Sequence, residues 1–421
     1  MRKPDSKTIV IIGGGVIGLS TAYYAAHKGH RVRIIDRHPP EHPGCSYGNA
    51  GMVVPSHFVP LAAPGMVARG LKWMWNPKSP FYIKPRLNLD LARWGFGFWR
   101  ASTTEHVRRC APVLRDLHFE SRSCFEELSS LADPGFDLQR RGLLMLCKSE
   151  RTLEEEAHAA SEAIELGVPA RVLTAAETAQ TDPGVRMNIA GSVYYPKDCH
   201  LTPHRFMQTL LHLLKRSAVT FEWNTEVLGW RKQGRRIEAV ETSRGDFVAD
   251  EYVVCGGSWS PTVAAKLGIV LPMQAGKGYS LTLPHPRQQP SLCAILTEAR
   301  LAVTPMGHAL RIGGTMEIAG LDESINPIRI RGILESIPGY YPEFVESDFR
   351  GIAPWSGLRP CSPDGMPYIG RFARFNNLST ATGHAMMGLS LAPATGKLMA
   401  RILSDEPIPT DLSLLDPNRY A

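Results

Sequence analysis

Residues 13 to 18 read Gly-Gly-Gly-Val-Ile-Gly, and this run constrains the fold more than any other in the chain. The β-branched stretch Thr8 to Ile12 before it reads as a buried parallel strand. Val16 to about His27 reads as a helix ended by Gly29, and Arg31 to Asp36 as a second strand. In this β-α-β setting Gly13 permits the tight turn, Gly15 lets the backbone approach a pyrophosphate, and Gly18 lets helix and strand pack closely. The helix start at Val16 and Ile17 offers free N–H groups and a partial positive charge. Asp36, 18 residues past Gly18, ends the second strand, where a carboxylate can bind both ribose hydroxyls of an adenosine. The run therefore reads as a dinucleotide site, with a merely structural turn as the alternative.

Three further segments move the choice from NAD to FAD. The fingerprint occurs once, so there is no second nicotinamide site of the usual kind. Val253 to Ser260 ends a strand in Gly256-Gly257 and can return the chain to the pyrophosphate and ribose. Thr382 to Ser390 is a glycine-bounded turn that opens the last helix, a suitable stabiliser for negative charge on a reduced flavin. Trp355 to Pro360 places Arg359 between apolar neighbours. A buried Arg needs an anion, and its planar fork can hold a carboxylate by two parallel hydrogen bonds. A structural ion pair is the alternative there.

The chain has 421 residues, of which 43% are hydrophobic, so two or three units with a real core are expected rather than disorder. Eight cysteines are scattered without a C-x-x-C pair, which suits a reducing, cytoplasmic compartment and gives no metal-ligand spacing. The polar start, Met1 to Thr8, lacks the features of a signal peptide. The longest run without acidic or basic residues, Gly44 to Ala68, is broken by prolines and glycines and does not read as a membrane span.

Nucleotide-type elements recur at the start, in the middle and at the end of the chain. The expected fold class is α/β plus α+β. A discontinuous Rossmann-like FAD-binding domain is assigned to 1–60, 195–268 and 350–421. A mixed β-sheet substrate domain is assigned to 61–194 and 269–349. Helices are expected at Glu150–Leu166, Pro203–Arg216, Ile328–Ser336 and Leu389–Leu403. Phe247–Cys255 reads as one strand.

Taken with Gly48-Asn49-Ala50-Gly51-Met52, Lys277 to Thr282, Gly357-Leu358-Arg359-Pro360 and Thr382-Gly383-His384, the chain resembles the D-amino-acid dehydrogenase/glycine oxidase group of FAD amine oxidoreductases, in the D-amino-acid oxidase superfamily. The resemblance covers nearly the whole chain. It implies a p-hydroxybenzoate-hydroxylase-like architecture, also described as glutathione-reductase-2-like. Arg359 is expected to bind a substrate carboxylate and Tyr279 to close the pocket over it, with Met52, His57 and Met386 beside them. The cofactor-binding set is Gly13, Gly15, Val16, Ile17, Gly18, Asp36, Arg37, His38, Ser46, Gly48, Asn49, Ala50, Gly51, Met52, Val227, Gly256, Gly257, Trp259, Arg359, Gly383, His384, Met387, Gly388, Leu389 and Ser390. The implied chemistry is hydride transfer from the substrate Cα to the flavin, giving an imine. That route requires no general base, which leaves His57, His200 and His384 as packing or hydrogen-bonding residues. Glycine-oxidase-like members place a second Arg where this chain has Met386, and the Gly-His-x-Met-Met-Gly form resembles hydroxyproline dehydrogenases. Proline-like D-amino acids are therefore among the expected substrates. FAD is expected to be noncovalent, because the cysteine that carries flavin in the sarcosine-oxidase branch falls on Gly357.

The net charge of +7 is concentrated between Arg69 and Arg109, which hold nine Lys or Arg against two acids. A uniformly basic nucleic-acid binder is unlike this pattern. Trp73, Trp75, Phe81, Tyr82, Trp94, Phe96, Phe98 and Trp99 lie in the same stretch. They read as the core of the substrate domain with a wet basic face; the alternative is a peripheral contact with the inner face of the cell membrane. The acceptor of the electrons, a quinone of the respiratory chain or O₂, is left open. An O₂-using amine oxidase and an RNA-modifying or subunit flavoprotein are the competing readings.

Overall fold

The strand Thr8–Ile12 lies parallel between Arg31–Ile35 and Glu251–Val254, with Ile12 in register with both Ile35 and Val254. This is the centre of a six-stranded sheet ordered Tyr368–Arg371, Leu378–Thr382, Glu251–Val254, Thr8–Ile12, Arg31–Ile35, Val219–Glu222. Its pairings are parallel except for the antiparallel edge strand Tyr368–Arg371. The computed structural model describes residues 6–74, 78–86, 88–131, 135–217, 219–408 and 411–421; Trp75 lies outside the described residues.

Strand alternation decides what covers each face of this sheet. Ile9 and Ile11 point to one side, into a core shared with Leu19 and Ala22 of the helix Val16–His27 and with Leu391 and Met399 of the helix Gly388–Leu403. Val10 and Ile12 point to the other. They pack with Val227, Ile237 and Val240 from a small antiparallel sheet formed by Val227–Gln233, Arg236–Thr242 and Gly245–Phe247. The two helices cross closely because Gly396 has no side chain: a Cβ there would lie 2.5 Å from the backbone of Ser20.

The second sheet is mixed and nine-stranded. Its path runs Trp355–Cys361, Gln274–Leu283, Ala309–Ile318, Leu301–Met306, Cys293–Leu296, Leu143–Cys147, Gly191–Tyr195, Arg171–Thr174, and Phe81–Ile83 pairs the far end of Ala309–Ile318. Leu281, Leu310 and Ile312 pack with Ile333 and Ile337 of the helix Pro327–Tyr340. Between Gln274–Leu283 and Ala309–Ile318 the register slips by one: Lys277 faces Glu317, but Tyr279 faces Gly314. Thr315 and Met316 thus oppose the single residue Gly278, a β-bulge in the middle of the sheet.

Two expectations need correction. Phe247–Cys255 is not one strand. Gly245–Phe247 belongs to the small antiparallel sheet and Glu251–Val254 to the parallel one, with Ala249 and Asp250 turning the chain between them. The segment 350–421 does not lie wholly with the nucleotide-type sheet, because Trp355–Cys361 pairs antiparallel with Gln274–Ser280 in the second sheet. For Phe247–Cys255 the cause is that hydrophobic period reports a strand but not its partner; at Trp355–Cys361 no strand was expected. Among the described residues no helix is long and apolar enough to cross a membrane.

Candidate active site

A cavity of about 760 Å³ is lined from both sheets. At one end lies the glycine turn. Gly13 has φ +117°, and a Cβ on it would sit 2.4 Å from the carbonyl oxygen of Cys255. A Cβ on Gly18 would meet the Gly13 carbonyl at 1.9 Å, so Gly18 serves the packing of strand on helix and does not reach the cavity wall. Gly15 differs. A Cβ there would have only the Ser46 hydroxyl nearby, at 3.6 Å, so the bare backbone faces open space. The N-cap residue of the helix Val16–His27 is Gly15, which has no side chain to cap it, and no acid stands in the first turn; one N–H, Val16 N, donates to Ser46 Oγ at 3.1 Å. A second helix, Gly388–Leu403, also begins on the cavity without a side-chain cap or an acid in its first turn. Two helix starts without an N-cap side chain and an open glycine backbone fit the phosphates and the reduced ring of a flavin dinucleotide.

Asp36 lies at the same end. Its carboxylate accepts from Gly14 N at 2.6 Å and from His38 N at 2.8 Å. Strand Val219–Glu222 runs parallel to Arg31–Ile35 with Glu222 beside Ile35, so the next residues, Trp223 and Asp36, end up together at the sheet's carboxyl edge. A Cβ on Gly14 would meet the Trp223 ring at 2.6 Å and Asp36 Oδ2 at 3.3 Å. Arg37 lies 4.1 Å over the Trp259 ring and His38 stacks on His42 at 3.9 Å. Val227, Gly256 and Gly257 complete this end of the wall.

The middle of the cavity carries Gly48, Asn49, Ala50 and Met52. Arg311 holds their loop to the second sheet, donating to the carbonyls of Tyr47 at 2.9 Å and Asn49 at 2.8 Å. Trp355 packs so closely on Gly48 that a Cβ there would lie 2.1 Å from the indole. Gly51, at φ +77°, shapes the loop from behind and is off the wall.

The far end is built on Arg359. Its guanidinium lies against Gly278, where a Cβ would stand 2.2 Å away, and it donates to the carbonyl of Thr315 at 2.5 Å. Burial lowers its pKa, and no carboxylate pairs with it among the described residues. Cys45 is the nearest ionisable neighbour on the wall; burial pushes its thiol up to about 11, so it stays neutral. Thr315 has φ +61°, rare for a β-branched residue, and its buried hydroxyl has no partner. His57, Met386, Met387 and Leu389 also line the cavity.

Besides Gly18 and Gly51, three expected residues behave differently. Tyr279 reaches the wall, but its hydroxyl donates to Glu317 at 2.7 Å, so it is engaged inside the second sheet rather than closing over a substrate. Ser390 is off the wall: its hydroxyl accepts from Val54 N at 3.0 Å and pairs with His118 Nδ1 at 2.9 Å. Gly383 is also off the wall and sets the turn with φ +80°. His384 is on it, with Nε2 against Thr395 Oγ1 at 3.0 Å and a buried, unpartnered Nδ1; burial pushes its pKa down to about 3, so the ring is neutral. Sequence reasoning missed Trp223, Trp355, Cys45, Arg311 and Thr315. For Arg311, an arginine between Leu310 and Ile312, the signal was the one that singled out Arg359. Among the described residues no cluster of His, Cys, Asp or Glu could hold a metal.

A parallel sheet with a glycine turn, an acid at the end of its second strand and a second sheet closing the cavity defines a dinucleotide-dependent oxidoreductase with a separate substrate wall. The chain belongs to the FAD dependent oxidoreductase family DAO, whose pattern matches residues 8–402. It is 32% identical over 419 residues to a D-amino acid dehydrogenase of Granulibacter bethesdensis, covering 98% of this chain and 99% of that one. A D-amino acid dehydrogenase of Vibrio atlanticus is 32% identical over 402 residues, with coverage of 94% and 95%. The fold matches glycine oxidase from Geobacillus kaustophilus with a TM-score of 0.77 at 22% identity, over 99% of both chains.

Proposed function

We propose that this protein is an FAD-dependent D-amino-acid dehydrogenase. The observation that carries the reading is Arg359: a part-buried guanidinium on the cavity wall with one main-chain acceptor and, among the described residues, no carboxylate partner. A substrate carboxylate supplies the missing anion and fixes the Cα relative to the cofactor. When bound, FAD supplies the acceptor for the hydride leaving Cα. The glycine turn, Asp36, Arg37, Trp259 and the Gly48–Met52 loop would hold it noncovalently. The relatives named D-amino acid dehydrogenase support the substrate class. Met386, Met387, Leu61, Met66 and Phe81 make the wall apolar, which suits a ring and supports proline-like D-amino acids such as D-proline and 4-hydroxy-D-proline.

The experiment is an anaerobic flavin-bleaching screen with a panel of D- and L-amino acids. Bleaching by D-amino acids is the expected result; bleaching only by glycine or sarcosine, with peroxide formed in air, favours the oxidase reading. A quinone acceptor fits a second feature. On the helix Leu89–Ala101, Leu89, Phe96 and Trp99 are 79%, 62% and 61% exposed, beside the exposed Arg93 and Arg100. An apolar, cationic face of this kind suits a peripheral contact with anionic lipid.

A further inference from the structure

Asp198 is 0% exposed and forms no ion pair among the described residues. An unpaired buried carboxylate is costly, and the fold gains nothing evident from it. Its hydrogen bonds lead outward. Ser56 N donates to Oδ1 at 3.1 Å and Ser56 Oγ donates to Oδ2 at 2.5 Å. The same hydroxyl contacts His57 Nδ1 at 2.9 Å. A serine hydroxyl has one proton. With that proton given to an ionised Asp198, the oxygen can only accept from His57, so Nδ1 carries the ring proton and Nε2 a lone pair. His57 stands on the wall shared by the large cavity and an adjoining one of about 240 Å³.

We propose that His57, Ser56 and Asp198 form a proton relay that takes the proton leaving the substrate's α-amino group. The proposal rests on the amine-oxidising reading above. His57 Nε2 is the acceptor at the cavity; Ser56 and Asp198 are positioning residues that carry the charge away. In the step an N–H bond of the substrate ammonium breaks and one forms at His57 Nε2. The Nδ1 proton passes to Ser56 Oγ, whose own proton passes to Asp198 Oδ2. One proton enters and one arrives; the electron pair stays on the substrate nitrogen, and no redox partner is needed. A cation and an anion are both neutralised in a buried site, and the free lone pair is what hydride departure from Cα requires.

The groups facing the relay set its pH range. Burial pushes Asp198 up to about 7, opposed by the two Ser56 bonds and by Arg122. Tyr195, Cys199 and Cys293 surround it as neutral acids. His57 is pushed down to about 4 by burial and then by Arg300, and it lies near His118, so it transmits a proton without retaining it. Asp198 can receive a proton only when ionised, so the relay closes as pH falls through its pKa.

The test uses FAD-loaded protein and two ligands that lack a Cα–H and cannot be oxidised, 2-aminoisobutyrate and 2-methylproline. Binding is read from the flavin absorption and proton arrival from the infrared band of a protonated carboxyl group, at a pH where Asp198 starts ionised. The band is expected to appear on binding in the parent and in Ser56→Thr, and to be absent in Ser56→Ala and Asp198→Asn. In parallel, the anaerobic rate of flavin reduction by the substrate is expected to fall with falling pH in the parent and Ser56→Thr. In Ser56→Ala it is expected to be about 10²-fold lower and independent of pH over that range. Flavin perturbation without the carboxyl band, or a Ser56→Ala profile equal to the parent's, overturns the relay. A flavin spectrum unperturbed by both ligands overturns the substrate reading, and the relay falls with it.

Discussion

The guanidinium of Arg359 donates to the main-chain carbonyl of Thr315 at 2.5 Å, and Thr315 presents that carbonyl from a β-bulge with φ +61°. A β-branched residue in the left-handed region costs about 1–3 kcal/mol. The sheet around it holds the strain, and the effect is to aim Arg359 along a fixed direction into the cavity. Thr315→Gly relieves the strain at an entropic cost of about 1 kcal/mol. It is expected to leave the thermal midpoint unchanged or raised while increasing KM several-fold. Calorimetry and steady-state kinetics on one preparation check this; a lowered midpoint with unchanged KM contradicts the assignment.

Arg359→Ala removes the fork itself. Loss of a buried charge-assisted pair corresponds to about 10²- to 10³-fold in apparent substrate affinity. FAD content is expected to stay at the parent level, because the glycine turn and Asp36 lie at the other end of the cavity. Flavin absorbance per protein and KM are the two measurements, and unchanged KM excludes the carboxylate role.

Gly18 and Gly15 separate fold from ligand. A Cβ at Gly18 collides with the Gly13 carbonyl, whereas a Cβ at Gly15 meets nothing closer than 3.6 Å. Gly18→Ala is expected to destabilise the chain by about 1–3 kcal/mol with or without cofactor. Gly15→Ala is expected to melt like the parent when stripped of FAD and to bind FAD at least tenfold more weakly. Equal FAD affinity in Gly15→Ala argues that the pyrophosphate does not lie on this backbone.

Asp198 also predicts a pH dependence of stability. Its folded value of about 7 lies above the ordinary value near 3.9, so the folded state binds more protons between the two. Its contribution is therefore full below that window and is lost as pH rises through it. Asp198→Asn abolishes the effect, and the stability of the variant relative to the parent is expected to grow from about pH 4 to about pH 7 and then level off. His57, His118 and His384 shift the opposite way, but they are common to both proteins and cancel in the difference. Urea titrations across this range check it; a difference constant with pH contradicts a raised Asp198.

The exposed helix face makes a separate prediction. Phe96→Ser with Trp99→Ser is expected to weaken co-sedimentation with anionic vesicles several-fold, and raised salt to weaken that of the parent. Neutral vesicles serve as the control. Binding that responds to neither salt nor substitution places the contact elsewhere.

The cofactor end of the site was legible in the sequence because each residue acts through its own local geometry. Gly13, Gly15 and Asp36 follow from a strand, a turn and a second strand within thirty residues. Trp223 was not legible, because its place beside Asp36 depends on a parallel register between strands nearly two hundred residues apart. Thr315 and Asp198 were hidden for related reasons. A bulge is a relation between two strands, and a carboxylate that reaches the cavity only through Ser56 has no motif. Tyr279 shows the converse: its place on the wall was legible, but its hydroxyl's commitment to Glu317 depends on the strand beside it. The strand Trp355–Cys361 was not read from the sequence, and its pairing with Gln274–Ser280 joins segments roughly eighty residues apart.

The close crossing of Gly396 over Ser20 bears on biosynthesis. About 360 residues of chain separate the helix that starts the cofactor site, Val16–His27, from the helix that finishes it, Gly388–Leu403. A nascent chain therefore carries an uncovered glycine turn and an unpaired sheet edge while the residues between the two helices are made, an aggregation-exposed interval. FAD that binds only where both helices have met would draw the population toward such chains by mass action. In a flavin-starved cell the predicted symptom is loss of the protein itself, through proteolysis of chains still waiting for their final helix to dock.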